Sequence, residues 1–250
     1  MAECSGNVVF IPGVKAMEQS EAVSPSAPIL SPDEIGQIAI GVIQEIQNPF
    51  TVIKGYLQFF KNKPATCRRE TRRLLFQEVE RMETLLINFI LLACDKETDR
   101  TRQNLNCLLQ QIYPAVQMYA HRNNMVTEMF LSDRLPMIAF NAAEIKHLVM
   151  NLVYNGIEAM PAHGRLTVGT AYEHGRVVLF VRDEGSGIPP EEMGKIFNPF
   201  YTTKTGSSGL GLAASRSIVA RHQGRIEIVA NRRAGITVRV LFAENSGIPD

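Results

Sequence analysis

Residues 151–160 read NLVYNGIEAM, and the interpretation of the whole chain starts from them. Asn151 and Asn155 are four residues apart in a pattern of helical period, in which Leu148, Leu152 and Ala159 are apolar. Because residues at this spacing share one face of a helix, the two amide side chains are predicted to lie one above the other. An amide carbonyl on this face is a suitable ligand for Mg²⁺, which prefers oxygen and completes its shell with water and phosphate oxygens.

Two glycine-rich segments follow this helix. Residues 183–189 read DEGSGIP and come directly after a probable strand, and residues 206–212 read GSSGLGL and lead into a predicted helix that begins near Leu210. Glycine permits backbone conformations and close approaches that a Cβ would block. The N–H groups of these loops and of the helix start can therefore face phosphate oxygens. The glycines concerned are Gly185, Gly187, Gly209 and Gly211.

In this order, and with residues 197–204 (FNPFYTTK) between the last two, the segments closely resemble the N, G1, F and G2 boxes of the histidine kinase ATP-binding domain. That domain belongs to the superfamily shared with gyrase, Hsp90 and MutL. The resemblance implies a site for ATP and Mg²⁺, in which Asn155 holds the metal and Asp183 accepts a hydrogen bond from the adenine amino group. It also implies that residues 204–208 form a mobile lid with Lys204 as its positive charge. The residues that the boxes assign to ATP binding are Asn151, Asn155, Asp183, Gly185, Gly187, Ile188, Phe197, Lys204, Ser208, Gly209, Leu210, Gly211 and Leu212.

The residue one helical turn before the metal asparagine separates the branches of this superfamily. The gyrase and Hsp90 branch has a glutamate there, a general base that activates water. This chain has Asn151, and an amide cannot take up a proton at neutral pH, so transfer of phosphate to a protein group is favoured over attack by water. A gyrase-type ATPase is therefore opposed. His147, one turn before Asn151, is a candidate to face the nucleotide or to act as a hydrogen-bonded support, whereas His222, at a helix end, carries no interpretable signal.

Composition and charge exclude other classes of protein. The 250 residues are 45% hydrophobic, enough for two small cores, and a net charge of +1 gives no sign of a nucleic-acid partner. The 4 cysteines are scattered without a Cys-x-x-Cys pair, which argues against a zinc site or a disulfide framework. No apolar run approaches the roughly 20 residues needed to span a bilayer, and the amino terminus lacks the pattern of a signal peptide. A cytoplasmic protein without a membrane span is expected.

The amino-terminal part is predicted to be a flexible tail, residues 1–30, followed by a helical hairpin. Residues 31–34 (SPDE) supply a capping hydroxyl, a proline at the first helical position and acidic residues in the first turn. Pro49 should bend this first helix locally, and a second long helix is predicted from about Arg69 to Cys94. The apolar positions are Ile35, Ile38, Val42, Ile46, Ile53, Leu57 and Phe60 in the first helix and Leu75, Val79, Met82, Leu86 and Phe89 on the buried face of the second.

Two amphipathic helices cannot complete a core by themselves. Pairing with the same hairpin of a second chain would give a four-helix bundle, so a homodimer is predicted. The hairpin is assigned to residues 31–98, the ATP-binding domain to residues 99–243 and a short tail to residues 244–250.

The second domain is predicted to place helices on one face of a mixed sheet, with ATP between the sheet and the helices. The fold class is thus α+β, a dimeric helical bundle followed by an α/β sandwich of the histidine kinase, gyrase and Hsp90 type. Strands are predicted at residues 125–131, 166–170, 177–181, 225–229 and 236–240, and helices at residues 105–119, at 213–221 and from 141–144 through Asn155.

Residues 44–50 (QEIQNPF) resemble the phosphoacceptor box of the same kinases, whose pattern is His-Glu-Ile-(Arg/Lys)-Asn-Pro-Leu. Glu45, Asn48 and Pro49 match it, but Gln44 stands in place of the histidine and Gln47 in place of the basic residue. Imidazole has an available nitrogen lone pair and a pKa near neutrality, whereas an amide nitrogen delocalises its lone pair into the carbonyl. Autophosphorylation at position 44 is therefore not expected. In an intact kinase, Glu45 would be the proton-accepting partner of the histidine.

Three interpretations remain open. The protein binds ATP but signals as a non-catalytic pseudokinase scaffold, by dimerising or by holding a response regulator. Alternatively, it is a response-regulator phosphatase, in which Asn48 orients water toward the aspartyl phosphate of the regulator. In the third interpretation another residue is phosphorylated, or Gln44 is an engineered replacement in an otherwise normal kinase. The partners implied are a response regulator or an upstream sensor protein.

Overall fold

The computed structural model describes residues 30–62, 69–94, 98–204 and 207–244. They divide into two compact units, a hairpin unit of residues 30–94 and 195–214 and a sheet unit of residues 98–194 and 215–244. The predicted tails, except Leu30 and Glu244, lie outside the described residues, as do the break at Lys63-Pro64 and residues 205 and 206 of the predicted lid.

The hairpin unit contains two long helices, α1 (Pro32–Asn62) and α2 (Arg69–Ala93). Helix α1 begins as predicted, because the Glu34 N–H donates to Ser31 Oγ (3.3 Å) while the Ser31 N–H donates to Glu34 Oε2 (2.8 Å). This reciprocal pair satisfies two N–H groups that the helix itself leaves without partners. Pro49 lies inside α1, which continues through it for thirteen more residues.

Among the residues that the structure describes, each hairpin helix is covered on one face only. The face of α2 that is buried within the chain is formed by Leu85, Asn88 and Leu91. Val79 and Leu86 are exposed in the single chain, so their burial against a second chain stays a prediction. Helix α2 carries apolar residues on more than one stripe, and periodicity does not tell which stripe meets α1. Helix α1 likewise exposes large apolar residues, including Leu57 of the predicted apolar positions. The exposed side chains at spacings of three, four and seven are Ile40, Ile43, Phe50 and Leu57 on α1 and Phe76, Val79, Leu86 and Ile90 on α2.

The elements that follow α2 are β1 (Thr101–Gln103), α3 (Leu105–Arg122), β2 (Val126–Phe130), β3 (Ile138–Phe140), α4 (Ala142–Ala159), β4 (Arg165–Glu173), β5 (Arg176–Arg182), α5 (Pro190–Met193), α6 (Gly211–Arg221), β6 (Arg225–Ala230) and β7 (Ile236–Ala243). The sheet unit is built on a five-stranded mixed sheet with strand order β2-β4-β5-β7-β6. Strands β2 and β4 are parallel, and the other pairs are antiparallel.

Helices α3 and α4 cover the same face of this sheet. The Leu166 side chain lies against Gly156 of α4, and Thr170 Oγ1 donates to Asn106 Oδ1 of α3 (2.6 Å). Leu166 and Thr170 are four residues apart on β4 and therefore point to one side. The predicted layering, helices on one face of a mixed sheet, is confirmed.

The sequence did not predict three short elements. Strands β1 and β3 pair with each other in a separate antiparallel ribbon, and α5 is a single turn. Each has only three or four residues, too few for a hydrophobic period to appear. Among the described residues, no helix combines the length and the apolar character that crossing a membrane requires.

Candidate functional site

Helix α4 carries the two asparagines that were predicted from the sequence. Its start is fixed by Asn141, whose side-chain oxygen accepts hydrogen bonds from the N–H groups of Ala143 (3.0 Å) and Glu144 (3.1 Å). Asn151 is buried and Asn155 is half-buried, on the face of the helix that the four-residue spacing defines. The cap and the buried apolar side hold the helix in one orientation, so both amides have defined positions.

Asp183 follows β5 and is 4% exposed. Its Oδ1 accepts hydrogen bonds from the N–H groups of Gly185 (2.9 Å) and Ile236 (3.2 Å). Its backbone carbonyl accepts from the Asn231 side-chain amide (2.9 Å). A carboxylate buried at this depth needs such donors, because an unpaired buried charge is strongly unfavourable. The donors also fix the plane of the carboxylate.

The loop after β5 packs directly on α4. A Cβ at Gly156 would lie 2.8 Å from Leu166 Cδ1 and 3.4 Å from Asp183 Cβ. A Cβ at Gly185 would lie 2.7 Å from the Ala159 carbonyl oxygen, which accepts a hydrogen bond from the Ser186 N–H at 3.3 Å. Glycine at these two positions lets the loop and the helix approach closely. The structure therefore brings the predicted residues of α4 beside the predicted residues of the 183–187 loop.

The turn between β6 and β7 supports Asp183, and sequence reasoning missed it. Gly235 has a φ of +76°, and a Cβ there would collide with the Asp183 carbonyl oxygen and lie 2.6 Å from Asp183 Oδ1. Asn231, at the other end of the turn, is held by Thr237, whose hydroxyl donates to Asn231 Oδ1 (2.7 Å). The available signal was a glycine closing a short polar segment between two predicted strands.

Helix α4 also carries Tyr154 and His147. Tyr154 lies between the two asparagines in sequence, and its ring meets the Tyr119 ring edge-on at a centroid distance of 4.5 Å. Burial, with smaller contributions from Glu158 and Tyr154, raises the pKa of Tyr119 to about 12. Burial lowers the pKa of His147, so this imidazole is neutral at physiological pH. A neutral ring can both donate and accept hydrogen bonds, as the predicted supporting role requires.

The hairpin unit holds the remaining predicted nucleotide-binding residues. Phe197 is buried, and Gly209 has a φ of +66° with the backbone of Phe200 and Tyr201 packed where a Cβ would point. Leu210 is fully buried in a cluster with Ile38 and Val42 of α1 and Leu85 of α2. Its N–H donates to Ser208 Oγ at 3.3 Å. The Leu210 side chain thus anchors the glycine loop on the hairpin. Lys204, Ser208, Gly211 and Leu212 belong to the same unit and are partly exposed.

Residues 44–50, which resemble a phosphoacceptor box, lie on α1 in the same unit. Gln44 and Asn48 are exposed one turn apart, and Glu45 is partly buried. Burial raises the pKa of Glu45, against the opposing charge of Arg81, and its Oε2 has no hydrogen-bond partner among the described residues. Gly41 lies one turn earlier, in contact with the Phe200 ring. The predicted ATP-binding residues therefore divide, with Asn151, Asn155, Asp183, Gly185, Gly187 and Ile188 in the sheet unit and the others in the hairpin unit.

Comparisons with known proteins agree with the motifs. Residues 141–246 match the family described as "Histidine kinase-, DNA gyrase B-, and HSP90-like ATPase". Sporulation kinase C of Bacillus subtilis (strain 168) is 32% identical over 207 residues, which are 82% of this chain and 48% of that protein. The signal transduction histidine-protein kinase AtoS of Escherichia coli (strain K12) is 26% identical over 247 residues, 97% of this chain and 40% of that protein. The chain thus spans about half the length, or less, of these curated relatives.

A solved structure shows the same fold. The histidine kinase ThkA, in complex with the response regulator protein TrrA, matches 85% of this chain and 62% of that chain with a TM-score of 0.66 and 26% sequence identity. Together with the matched family, this likeness confirms the predicted fold class, a helical amino-terminal region and an α/β domain of the ATP-binding type.

The packing of the β6–β7 turn on Asp183 gives a test of the site's construction. Gly235→Ala forces a side chain into the Asp183 backbone at a positive φ, so we expect it to lower the free energy of unfolding of the sheet unit by about 2–4 kcal/mol. Urea denaturation followed by circular dichroism measures this change. Gly194→Ala is the control, because nothing lies within 4 Å of the new methyl group and the Gly194 φ is −71°. Equal unfolding midpoints for the two variants would contradict the described packing.

Proposed function

We propose that this protein binds Mg·ATP but lacks the usual phosphoacceptor. The chain carries an ATPase domain of the histidine kinase, gyrase and HSP90-like family and is homologous to sensor histidine kinases. It is a histidine-kinase-type signal transduction protein in which Gln44 blocks phosphoryl transfer to the customary position of α1. The observation that carries the nucleotide part is the buried, doubly hydrogen-bonded carboxylate of Asp183 beside the helix of Asn151 and Asn155.

The donor set of the sheet unit fits an adenine nucleotide with magnesium. Asp183 offers an acceptor whose orientation is fixed by backbone donors, as selection of an adenine amino group requires. Asn155 offers an amide oxygen to Mg²⁺, which supplies positive charge to the phosphates when it is bound. Asn151 cannot act as a general base, so rapid hydrolysis of ATP by water is not part of the proposal.

The side chain at position 44 is chemically unsuited to accept a phosphoryl group. Gln44 is exposed on α1, yet its amide nitrogen is not a competent nucleophile. Glu45 has a raised pKa and partial burial, which suit a group that takes up a proton from a neighbouring residue. The residue before it in sequence is Gln44 and not a histidine, so Glu45 has no imidazole at that position from which to accept a proton.

A second candidate function is supported by Asn48. Its amide is exposed one turn after Gln44, where it can orient a water molecule toward the aspartyl phosphate of a docked regulator. The related ThkA was solved with the response regulator protein TrrA. A response-regulator phosphatase, or an ATP-bound scaffold that holds such a regulator, is therefore the alternative. An upstream sensor protein is the other partner that the proposal admits.

We also propose that the protein acts as a homodimer in the cytoplasm. The exposed apolar stripes of α1 and α2 lie at heptad-like spacings, as the core positions of a four-helix bundle do. Cys94 and Cys107 are exposed free thiols, which suit a reducing compartment.

Asp183 provides a test of nucleotide binding. Calorimetry with ATP and Mg²⁺ should give a binding heat for the wild type, and Asp183→Asn should weaken ATP at least about tenfold, because an amide donor would then face the adenine amino donor. GTP presents a carbonyl at that position, so the preference for ATP over GTP should shrink. Asp133→Asn, an exposed residue with the same charge change, is the control. No heat from folded wild-type protein would refute the proposal.

Position 44 provides a test of phosphoryl transfer. Incubation with γ-labelled ATP should leave the wild type without acid-labile label, and Gln44→His should gain it, because the imidazole restores a nucleophile beside Glu45. Gln47→His places the same ring three residues further along the exposed surface of α1 and should stay unlabelled. Acid-labile label on the wild type would contradict the proposal. Absence of label on Gln44→His, with ATP bound, would favour the phosphatase or scaffold.

Leu86 provides a test of dimerisation. Sedimentation equilibrium should show a dimer for the wild type and a monomer for Leu86→Glu, since a buried carboxylate would then oppose its copy across the bundle. Gln77→Glu adds the same charge on α2 away from the apolar stripe, at an exposed residue, and should stay dimeric. A monomeric wild type at micromolar concentration would overturn the dimer proposal.

A further inference from the structure

A buried cluster in the sheet unit joins the start of α4 to the end of α6. His222, directly after α6, is fully buried. Its Nε2 accepts a hydrogen bond from the Asn141 N–H (3.0 Å), and its Nδ1 lies 2.8 Å from the Ile218 carbonyl oxygen. These partners require a neutral ring with its proton on Nδ1, because Nε2 must offer a lone pair. The ring therefore links the capping residue of α4 to the last turn of α6.

Charged groups complete this link between the helices. Glu144, in the first turn of α4, pairs with Arg221 at 2.9 Å, and both side chains are largely buried. Thr98 Oγ1 donates to the same carboxylate oxygen (3.0 Å), while the other oxygen lies 3.7 Å from His222 Nδ1. The Asn141 side-chain amide donates to the Asp99 carbonyl oxygen (3.2 Å). The start of α4 is thus held from two sides.

The position of the start of α4 decides where the asparagines stand. A helix is a stiff rod with a rise of about 1.5 Å per residue, so Asn151 and Asn155 lie about 15 and 21 Å along the axis from Asn141. A small tilt at the fixed end therefore displaces both amides. We propose that His222 is a positioning residue for the nucleotide site, which holds α4 at its start so that Asn151 and Asn155 keep their places. This inference rests on the proposed binding of Mg·ATP.

The geometry makes the link sensitive to protons. A proton on Nε2 would bring two donors face to face at Asn141, so the contact exists only with a neutral ring. Burial lowers the pKa of His222, the Ile218 carbonyl and Glu144 oppose this, and Arg100 and Arg221 add to it. Phe242 of β7, at a ring distance of 6.4 Å, brings no charge. Because the folded pKa lies below the ordinary value of 6.5, the stabilisation is complete above that pH and is lost as the pH falls toward the folded pKa.

Calorimetry with Mg²⁺ and a non-hydrolysable ATP analogue at pH 8 tests this role. His222→Leu removes the acceptor and leaves the Asn141 N–H unpaired, so we expect the Kd to rise about tenfold. His222→Gln keeps an acceptor oxygen near the Nε2 position and should restore the Kd to within about threefold of the wild type. Ile226→Ala, a buried change on β6, is the matched control for lost stability and should leave the Kd unchanged.

Titration from pH 8 down to the lowest pH at which both proteins remain folded adds a readout that general destabilisation would not move. The wild-type Kd should rise more steeply with acid than that of His222→Gln, which carries no titrating ring. Parallel pH profiles for the two proteins, or a His222→Leu variant that is folded and binds the analogue normally, would overturn the inference.

Hydrogen exchange of the nucleotide-free protein separates this inference from the proposed function. The amides of the first turn of α4 should lose protection in His222→Leu and keep it in Ile226→Ala. If the wild type binds no nucleotide, the proposed function fails. A loss of protection in His222→Leu would then still support the role of His222 in holding the start of α4 through Asn141. Unchanged protection in His222→Leu would refute this role of His222 whether or not the wild type binds nucleotide.

Discussion

A carboxylate held almost out of reach of water is the constraint on which the sheet unit depends. Asp183 is 4% exposed, and an ionised group in such a place is tolerable only with donors around it. Two of these donors are backbone N–H groups: that of Gly185, two residues after Asp183, and that of Ile236, 53 residues after it. Meeting this need requires the end of β5, the loop that follows it and the β6–β7 turn to converge on one point. Gly156 allows α4 to approach the same point, which places the asparagine helix beside the carboxylate.

The hairpin unit is organised by apolar contact instead. Leu210 joins Ile38, Val42 and Leu85 in one cluster, and the Phe200 ring lies where a side chain at Gly41 would otherwise stand. The glycine loop, which the motifs assign to phosphate, is thereby packed on α1 one turn before Gln44. Position 44, where the resemblance would place the phosphoacceptor histidine, holds an amide.

Local patterns predicted much of the fold, because they report local physics. The capping hydroxyl of Ser31, the start of α4 at residues 141–144 and the alternating strands depend on neighbours in sequence, and the structure reproduces them. The stripe of α2 that is buried could not be predicted, since two stripes are apolar and only the partner helix selects one. Motif order singled out Asn155 and Asp183, whereas Gly235 was not considered and His222 carried no interpretable signal. Their contacts join residues 52 and 81 positions apart, and no short period encodes such a contact.

The paired tyrosines beside the asparagines have a spectroscopic consequence. The chain contains no tryptophan and 6 tyrosines, so its absorption near 280 nm comes mainly from phenol rings. Tyr154 is followed directly by Asn155, and its edge-on partner Tyr119 has a pKa raised to about 12. At a pH where ordinary phenols have become phenolates, Tyr119 still holds its proton. An alkaline difference spectrum therefore carries a late-ionising component that originates next to the asparagine helix, a native chromophore that needs no attached dye.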